Sequence, residues 1–459
     1  MSEPGCLFGE LPEQIADQGP QAEPAPPRLR EPQRDQIALR VVDLDGLLPS
    51  DHPARAVWAF VEQLDLSPLL DAIKAREGEP GHPPANPQIP MALWLYATIE
   101  AVGSARALVR LCETHVAYQW ICGGVSMNHH TLSDFRVAQV ALLDRLLAQG
   151  VAALVAEGLV QLEQLAQDGV RIRAAAGSSS YRRRARLEKL LEAGQARVAA
   201  LKAELESDPA AGTARQRAAR ERAARERVER TTAALERMKE LEAERARRAK
   251  THKKDTAKQK EPRASTTDAE ARVMKMADGG FRPAYNGQFA SDPETQVIVA
   301  VEIDTTGSDQ GLIGPMQDQI RQSYGQAPKQ YLVDGGFTKL EDIEKAHAEG
   351  IEVFAPPPNN KHATDPFAPR EDDGPGTKAW RKRMSSEEGK AVYRHRAKAE
   401  CVNADLRNRG IQRLLLRGRD KVRAVLLWFA VAHNLMRAVA LRAAEAQGRS
   451  VSGTRPATA

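Results

Sequence analysis

The sequence predicts a mixed α/β sheet with helices on its faces, preceded by an all-helical domain and interrupted by a helical hairpin. Three observations point there. Short apolar runs that read as strands (TQVIVAVEIDT, QYLVDGGF, IEVFAPPP) alternate with helical patterns in the second half of the chain. From about residue 35 to about 150 the pattern is helical. Residues 182–261 are dominated by Ala, Glu, Arg and Leu, the composition of long charged helices.

Taken in order, residues 1–34 (QGPQAEPAPPRLREPQ and its surroundings) are rich in Pro, Glu and Gln and read as a disordered lead-in. Residues 35–160 form the helical domain. PMALWLYATIEAV ends at Gly103, Ser104 caps SARALVRLCETHVAYQWI, and Thr131 or Ser133 caps TLSDFRVAQVALLDRLLAQGVAALVAEGLV. Helices joined by a tight Gly turn outline a helix-turn-helix, but also a plain bundle, so the local pattern leaves DNA binding open. At 161–181 the texture changes: in LEQLAQDGVRIRA, Val170 and Ile172 alternate with polar residues as in a strand, with Asp168 at its opening. The tract 182–261, broken near SDPAAGT, is a helix pair that fits a solvated hairpin, a DNA-contacting arm or a dimerising coiled coil. Sheet and helices resume over 262–440. GGFRPAYNGQFASD and TQVIVAVEIDT are strands, SDQGLIGPMQDQIRQSYG a helix, QYLVDGGF a buried strand, KLEDIEKAHAEG a helix closed by Gly350, and IEVFAPPP the last strand. A loop over about 356–388 leads to the helix AVYRHRAKAECVNADLRNRG, then to KVRAVLLWFAVAHNLMRAVALRAA and a mobile tail at 441–459.

With 459 residues the chain has room for two or three domains, and its 42% apolar content excludes wholesale disorder. The net charge is only +5, yet bases crowd into 170–260 and 379–423, which favours a polyanionic partner. Cys6, Cys112, Cys122 and Cys401 are too scattered for a disulfide framework and fit a reducing compartment. No run is expected to span a bilayer and the start lacks a signal peptide, so the expectation is a soluble, cytoplasmic protein. Cys112, His115 and Cys122 are spaced too loosely for a zinc motif, His129 and His130 suit a helix start or a DNA contact, and no phosphate-binding loop appears.

The candidate chemistry lies in acids. Asp334 ends a buried strand before two glycines, where it reads equally as a ligand at a strand end or as a turn former. Asp304 ends another strand and competes with it. At about 100° per residue, Tyr393, Arg396, Glu400 and Arg407 share one helical arc beside an apolar stripe of Val392, Ala399, Val402 and Leu406. Arg394, Lys398, Asp405 and Arg409 then face water. A surface Arg396–Glu400 pair is the alternative to a site. Three carboxylates from separate parts of one sheet domain suit two Mg²⁺ or Mn²⁺ ions and phosphodiester chemistry, with Arg396 and Arg407 available to hold phosphate.

Tyr393, Arg396, Glu400 and Arg407 also carry a family resemblance. Their spacing matches the Y-(2)-R-(3)-E-(6)-K/R signature, and the chain resembles bacterial insertion-sequence transposases of the DDE type. DGVRIRAAAGSSSYRR resembles their first-acid block, STTDAEARVMKMADGGFRPAYNGQ the second strand and its approach, and YLVDGGF the second-acid block. NPQIPMALWLYATIEAVGSARALVRLCETHVAYQWICGG and NHHTLSDFR resemble the helical DNA-binding region. The resemblance spans about residues 35–440. It implies a ribonuclease-H-like core, a metal-binding triad of Asp168, Asp334 and Glu400, and two Mg²⁺ (or Mn²⁺) ions. Tyr393, Arg396 and Arg407 become supporting residues around the third acid. The implied partners are double-stranded DNA, as terminal inverted repeats and target, and a second copy of the chain on that DNA, without a membrane and with a nucleoid-associated location. Cutting at the element's ends and joining to target DNA is the implied reaction. A catalytically inert, domesticated DNA-binding protein is the alternative.

Overall fold

Apolar alternation and helix caps build the elements in the order expected, with several boundaries moved. The computed structural model describes residues 43–75, 83–207, 213–251, 261–358 and 365–448. The lead-in at 1–34, the end of the tail at 449–459 and the hairpin break at 208–212 lie outside the described residues. Seven helices come first: α1 (Pro53–Glu62), α2 (Ser67–Asp71), α3 (Gln88–Ile99), α4 (Ala105–Thr114), α5 (Val116–Cys122), α6 (His129–Ala138) and α7 (Val140–Ala156). Ser104 caps α4 by accepting from Ala107 N, as the sequence suggests. The next start differs: α6 begins at His129, capped by the Asn128 side chain rather than by Thr131 or Ser133. The helix expected to run on unbroken instead bends by 63° between α6 and α7. His115 accepts from Ala117 N and so caps α5.

Strand β1 (Gln164–Arg173) opens the sheet, and Asp168 sits in its middle rather than at its start, because apolar Leu165 and Ala166 extend the strand backwards into the core. A two-residue strand β2 (Tyr181–Arg182) leads into α8 (Arg184–Ser207) and α9 (Ala214–Thr251), and β3 (Ala264–Ser265) returns to pair antiparallel with β2. That short ladder, absent from the sequence reading, closes the hairpin at its root. Arg184–Glu242 and Arg220–Glu204 contacts show that α8 and α9 run antiparallel. The sheet continues with β4 (Arg272–Lys275), β5 (Phe281–Ser291) and β6 (Ile298–Asp304), then α10 (Ile313–Tyr324), β7 (Gln330–Leu332), α11 (Leu340–Ala348) and β8 (Glu352–Phe354).

β5 is antiparallel to β1 on one edge and shares its other edge between β4 and β6, while β1, β7 and β8 run parallel. This mixed sheet with helices on its faces has the ribonuclease-H-like arrangement, joined to a helical N-terminal region. The loop expected over 356–388 is a helix in part, α12 (Pro375–Ser385); residues 359–364 lie outside the described residues. Its charges mislead: Arg381 and Asp373 pair at 2.7 Å, 4% and 3% exposed, and Trp380 is fully buried beside them. Next come α13 (Glu387–Arg394), a 3₁₀ turn (His395–Lys398), α14 (Ala399–Asn408) and α15 (Arg419–Ala446). The expected continuous helix over 391–410 is therefore interrupted in its middle, and α15 carries helix into the segment expected to be a mobile tail.

α15 corrects one more expectation. It is long and apolar enough to cross a membrane, yet 83% of its most apolar window is buried inside the fold. It packs on α3, α6 and α7 on one side and on β5 and β6 on the other. Trp428 Nε1 donates to Arg136 O at 2.9 Å, Trp94 Nε1 donates to Leu132 O at 2.8 Å, and the Arg136 guanidinium stacks on Trp94. Helices α1, α3–α7, α14 and α15 share one hydrophobic core with β1, β5 and β6, and a second core joins β7 and β8 to α10, α11 and α12.

Candidate active site

The site follows from the register of β1. Side chains alternate along a strand, so Gln167, Gly169 and Arg171 face one side of the sheet while Asp168, Val170 and Ile172 face the other, toward α14. Packing around Gly169 is close: a Cβ there would stand 2.5 Å from Gln288 Nε2 and 2.8 Å from Asp309 Oδ1, and those side-chain ends would have to move. Those atoms belong to a polar ladder in which Asn286 and Gln288 both donate to Asp309 Oδ1, at 2.6 and 2.9 Å. β1 meets this ladder through Arg171, 3.4 Å from Asp309, and Gln167, whose Nε2 donates to Gln288 Oε1 at 2.9 Å, while the backbone pairing with β5 sets Asp168 opposite Phe289.

Asp334 comes alongside through the parallel pairing of β1 and β7. Their register ends at Ala166↔Leu332. Two residues further along each strand direction stand Asp168, in mid-β1, and Asp334, just past the end of β7, level with one another. Asp334 then accepts from Gly336 N at 2.6 Å and starts a 3₁₀ turn over Gly335–Phe337. The turn-forming reading is borne out, and the carboxylate stands just past the end of β7. Asp304 ends β6, which lies beyond β5 from β1.

The third acid arrives on the segment after α13. Arg396, in the 3₁₀ turn, reaches Asp168 Oδ1 at 3.7 Å and Glu400 Oε1 at 2.9 Å, so one guanidinium bridges two acids from distant parts of the chain. The side chains of Asp168 and Arg396 are 16% and 17% exposed, while that of Glu400 is 61% exposed. Burial pushes the Asp168 carboxyl above its usual range; Arg396 opposes this and the nearby Asp334 charge adds to it. Burial likewise raises the Tyr393 phenol, with Arg396 opposing and the charges of Asp334 and Asp168 adding. Asp168, Asp334, Tyr393, Arg396 and Glu400 thus form one electrostatic cluster. Arg407 does not join it: it is exposed in the last turn of α14 and makes no side-chain hydrogen bond or ion pair among the described residues.

Two residues that sequence reasoning missed complete the surroundings. Asn403, 4% exposed, donates from Nδ2 to Asp168 Oδ2 at 2.9 Å. The signal was present: Asn403 follows Glu400 by three residues and so shares its helix face. His433 of α15 lies 2.8 Å from Asp405, correcting the expectation that Asp405 faces water. Arg409, also expected in solvent, pairs with Asp405 at 3.0 Å and donates to Ile99 O at 2.9 Å. α14 is covered on two sides, by the sheet and by the helical core, which a single apolar stripe does not reveal.

Among the described residues no three His, Cys, Asp or Glu side chains stand close enough to hold an ion as they are. The donor set still fits hard divalent cations in kind. It offers carboxylate oxygens only, Asp168 and Asp334 repel one another, and a cationic group already lies between Asp168 and Glu400. Glu400 is the exposed member, with room to change rotamer.

Two family models match the chain. The transposase DDE domain covers residues 247–435, which include Asp334 and the whole Tyr393–Arg407 segment, though not Asp168. The transposase domain DUF772 covers residues 42–138, the helices α1–α6. No curated protein and no solved structure matches the chain. The two matches between them take in more than half of the sequence, one over the sheet domain and one over the N-terminal helices, and the chain belongs to the insertion-sequence transposases of the DDE type.

Proposed function

We propose that this transposase nicks DNA at the ends of its insertion sequence and joins the freed ends to target DNA, using Asp168, Asp334 and Glu400 as the metal-binding acids. The observation that carries the reading is the Arg396 bridge between Asp168 and Glu400, with Asp334 beside Asp168 at the neighbouring strand end. In the first step a water oxygen forms a bond to phosphorus and the bond to the 3′-oxygen breaks, leaving a 3′-hydroxyl and a 5′-phosphate. In the second, that 3′-hydroxyl attacks a target phosphodiester in line, so one P–O bond replaces another without a covalent protein–DNA intermediate. The three acids would hold two Mg²⁺ or Mn²⁺ ions, which supply nucleophile activation and stabilisation of the departing oxygen. Arg396 keeps the like-charged acids near one another before ions arrive. Tyr393 closes the half-buried side of the cluster. Arg407, exposed and uncommitted, is suited to a DNA phosphate, as are the exposed Arg394 and His395 nearby.

Affinity for DNA then rests on phosphate contacts and falls with rising salt. Bringing two ends together calls for at least a homodimer on DNA. The test is nicking of a duplex taken from the terminal repeats that bracket the gene, with Mg²⁺ present. Nicking at the repeat ends supports the reading. Specific binding without nicking by the unaltered protein would instead indicate an inert, domesticated DNA-binding protein.

A further inference from the structure

Asp168 accepts hydrogen bonds at both of its oxygens, but from different kinds of partner. Oδ1 receives the neighbouring Gly169 N–H at 3.0 Å and faces Arg396 at 3.7 Å. Oδ2 receives Asn403 Nδ2 at 2.9 Å, the one side-chain hydrogen bond to this carboxylate among the described residues. An ionised carboxylate can only accept, which fixes the Asn403 amide with its NH₂ toward Asp168. The opposite end of the amide is then committed too: Asn403 Oδ1 is buried and has no hydrogen-bond partner among the described residues. An unmet buried acceptor lowers stability, and an apolar side chain of similar size would avoid that loss only by leaving Asp168 Oδ2 without its side-chain donor. Packing therefore does not explain the residue. Its position does, since α14 carries Glu400 one turn earlier and Asn403 is the point where that helix grips the strand bearing Asp168.

We propose that Asn403 is a positioning residue for the reaction, holding the rotamer of Asp168 and setting its spacing from Glu400. It does so by tying Asp168 Oδ2 to α14, which leaves Oδ1 turned toward Arg396. This rests on the reading of Asp168 and Glu400 as acids of the site.

The experiment compares the full-length protein with Asn403→Leu, Asp168→Asn and Glu400→Gln. Four quantities are measured: thermal midpoint, binding to the repeat duplex, nicking, and binding of Mn²⁺ alone followed by the resonance signal of the free ion. Asn403→Leu is expected to keep its midpoint and DNA binding. It should lose about 10–100-fold in nicking and need a similarly higher Mn²⁺ concentration for half-saturation, the usual effect of removing a group that orients a ligand. A merely structural residue would lower the midpoint and leave Mn²⁺ binding by the folded fraction unchanged. If Asn403→Leu does not fold, Asn403→Ser, too small to overpack, is read by the same criteria. Parental nicking and Mn²⁺ binding in the folded variant would overturn the role of Asn403. If Asp168→Asn and Glu400→Gln also nick like the parent, the assignment of the acids itself falls. If they are inactive, only the Asn403 proposal does.

Discussion

Asp168 and Asp405 both lie against α14, one reaching it from the sheet and the other carried on it, and the fold treats them in opposite ways. Burial opposes ionisation of both. At Asp405 the hydrogen bond and charge of His433, with the charge of Arg409, outweigh burial and hold the carboxyl below its usual range. At Asp168 burial wins: Arg396 stands at 3.7 Å, shared with Glu400, and Asp334 adds a repelling charge. A structural acid is given the partners that suit its charge. Asp168 is left short of positive charge, which is what its proposed role as a metal ligand calls for.

The largest expected effect on stability comes from breaking the satisfied acid. His433→Leu strands Asp405 and should cost about 2 kcal/mol, below the 3–5 kcal/mol typical of fully buried pairs because Arg409 remains, as read from denaturant unfolding. The pH dependence has a definite sign. Because folding lowers the Asp405 carboxyl, its contribution is present above the unfolded value of about 3.9 and is lost as pH falls below it. The parent should therefore lose more stability on acidification below about pH 4 than His433→Leu does. Equal acid sensitivity in the two proteins would break the comparison.

A smaller effect of opposite sign is expected at the other acid. Asp168→Asn removes a charge that burial disfavours, and should raise the thermal midpoint at pH 7 while abolishing nicking. A lowered midpoint would mean that Asp168 is a structural acid like Asp405. Least sensitive of all is the exposed pair Glu221–Arg225 on α9, one helical turn apart and 37% and 57% exposed. Glu221→Gln should change stability by less than ~0.5 kcal/mol and leave nicking unaltered. A large loss of nicking would give this face of the hairpin a part in the reaction that its exposed pair does not suggest.

Much of the sheet was legible because its signals are local: the alternation around Val170 and Ile172, the apolar run of β6, the Asp-Gly-Gly turn after β7. The Tyr393, Arg396 and Glu400 spacing was legible for the same reason, since neighbours on one helix are separated by few residues. What escaped depends on partners far along the chain. Asp405 looked solvated until α15 brought His433 to it, and Arg381 looked like a loop base until Asp373 closed on it in the core. The 3₁₀ turn at His395–Lys398 interrupts the regular helix on which the four-residue arc was drawn, and Arg407 stands apart from the cluster. α15 carried the hydropathy of a membrane span because a helix surrounded by sheet and helices is apolar on every side.

Asp168, Asp334 and Glu400 are proposed to act as one metal-dependent centre. Its most direct test is Mg²⁺-dependent nicking of the terminal-repeat duplex by the parent and by Glu400→Gln, with DNA binding measured on the same preparations. Equal binding is expected, with a loss of nicking on the order of a thousandfold or more, about 4 kcal/mol of transition-state stabilisation. Equal nicking by the two proteins would contradict it.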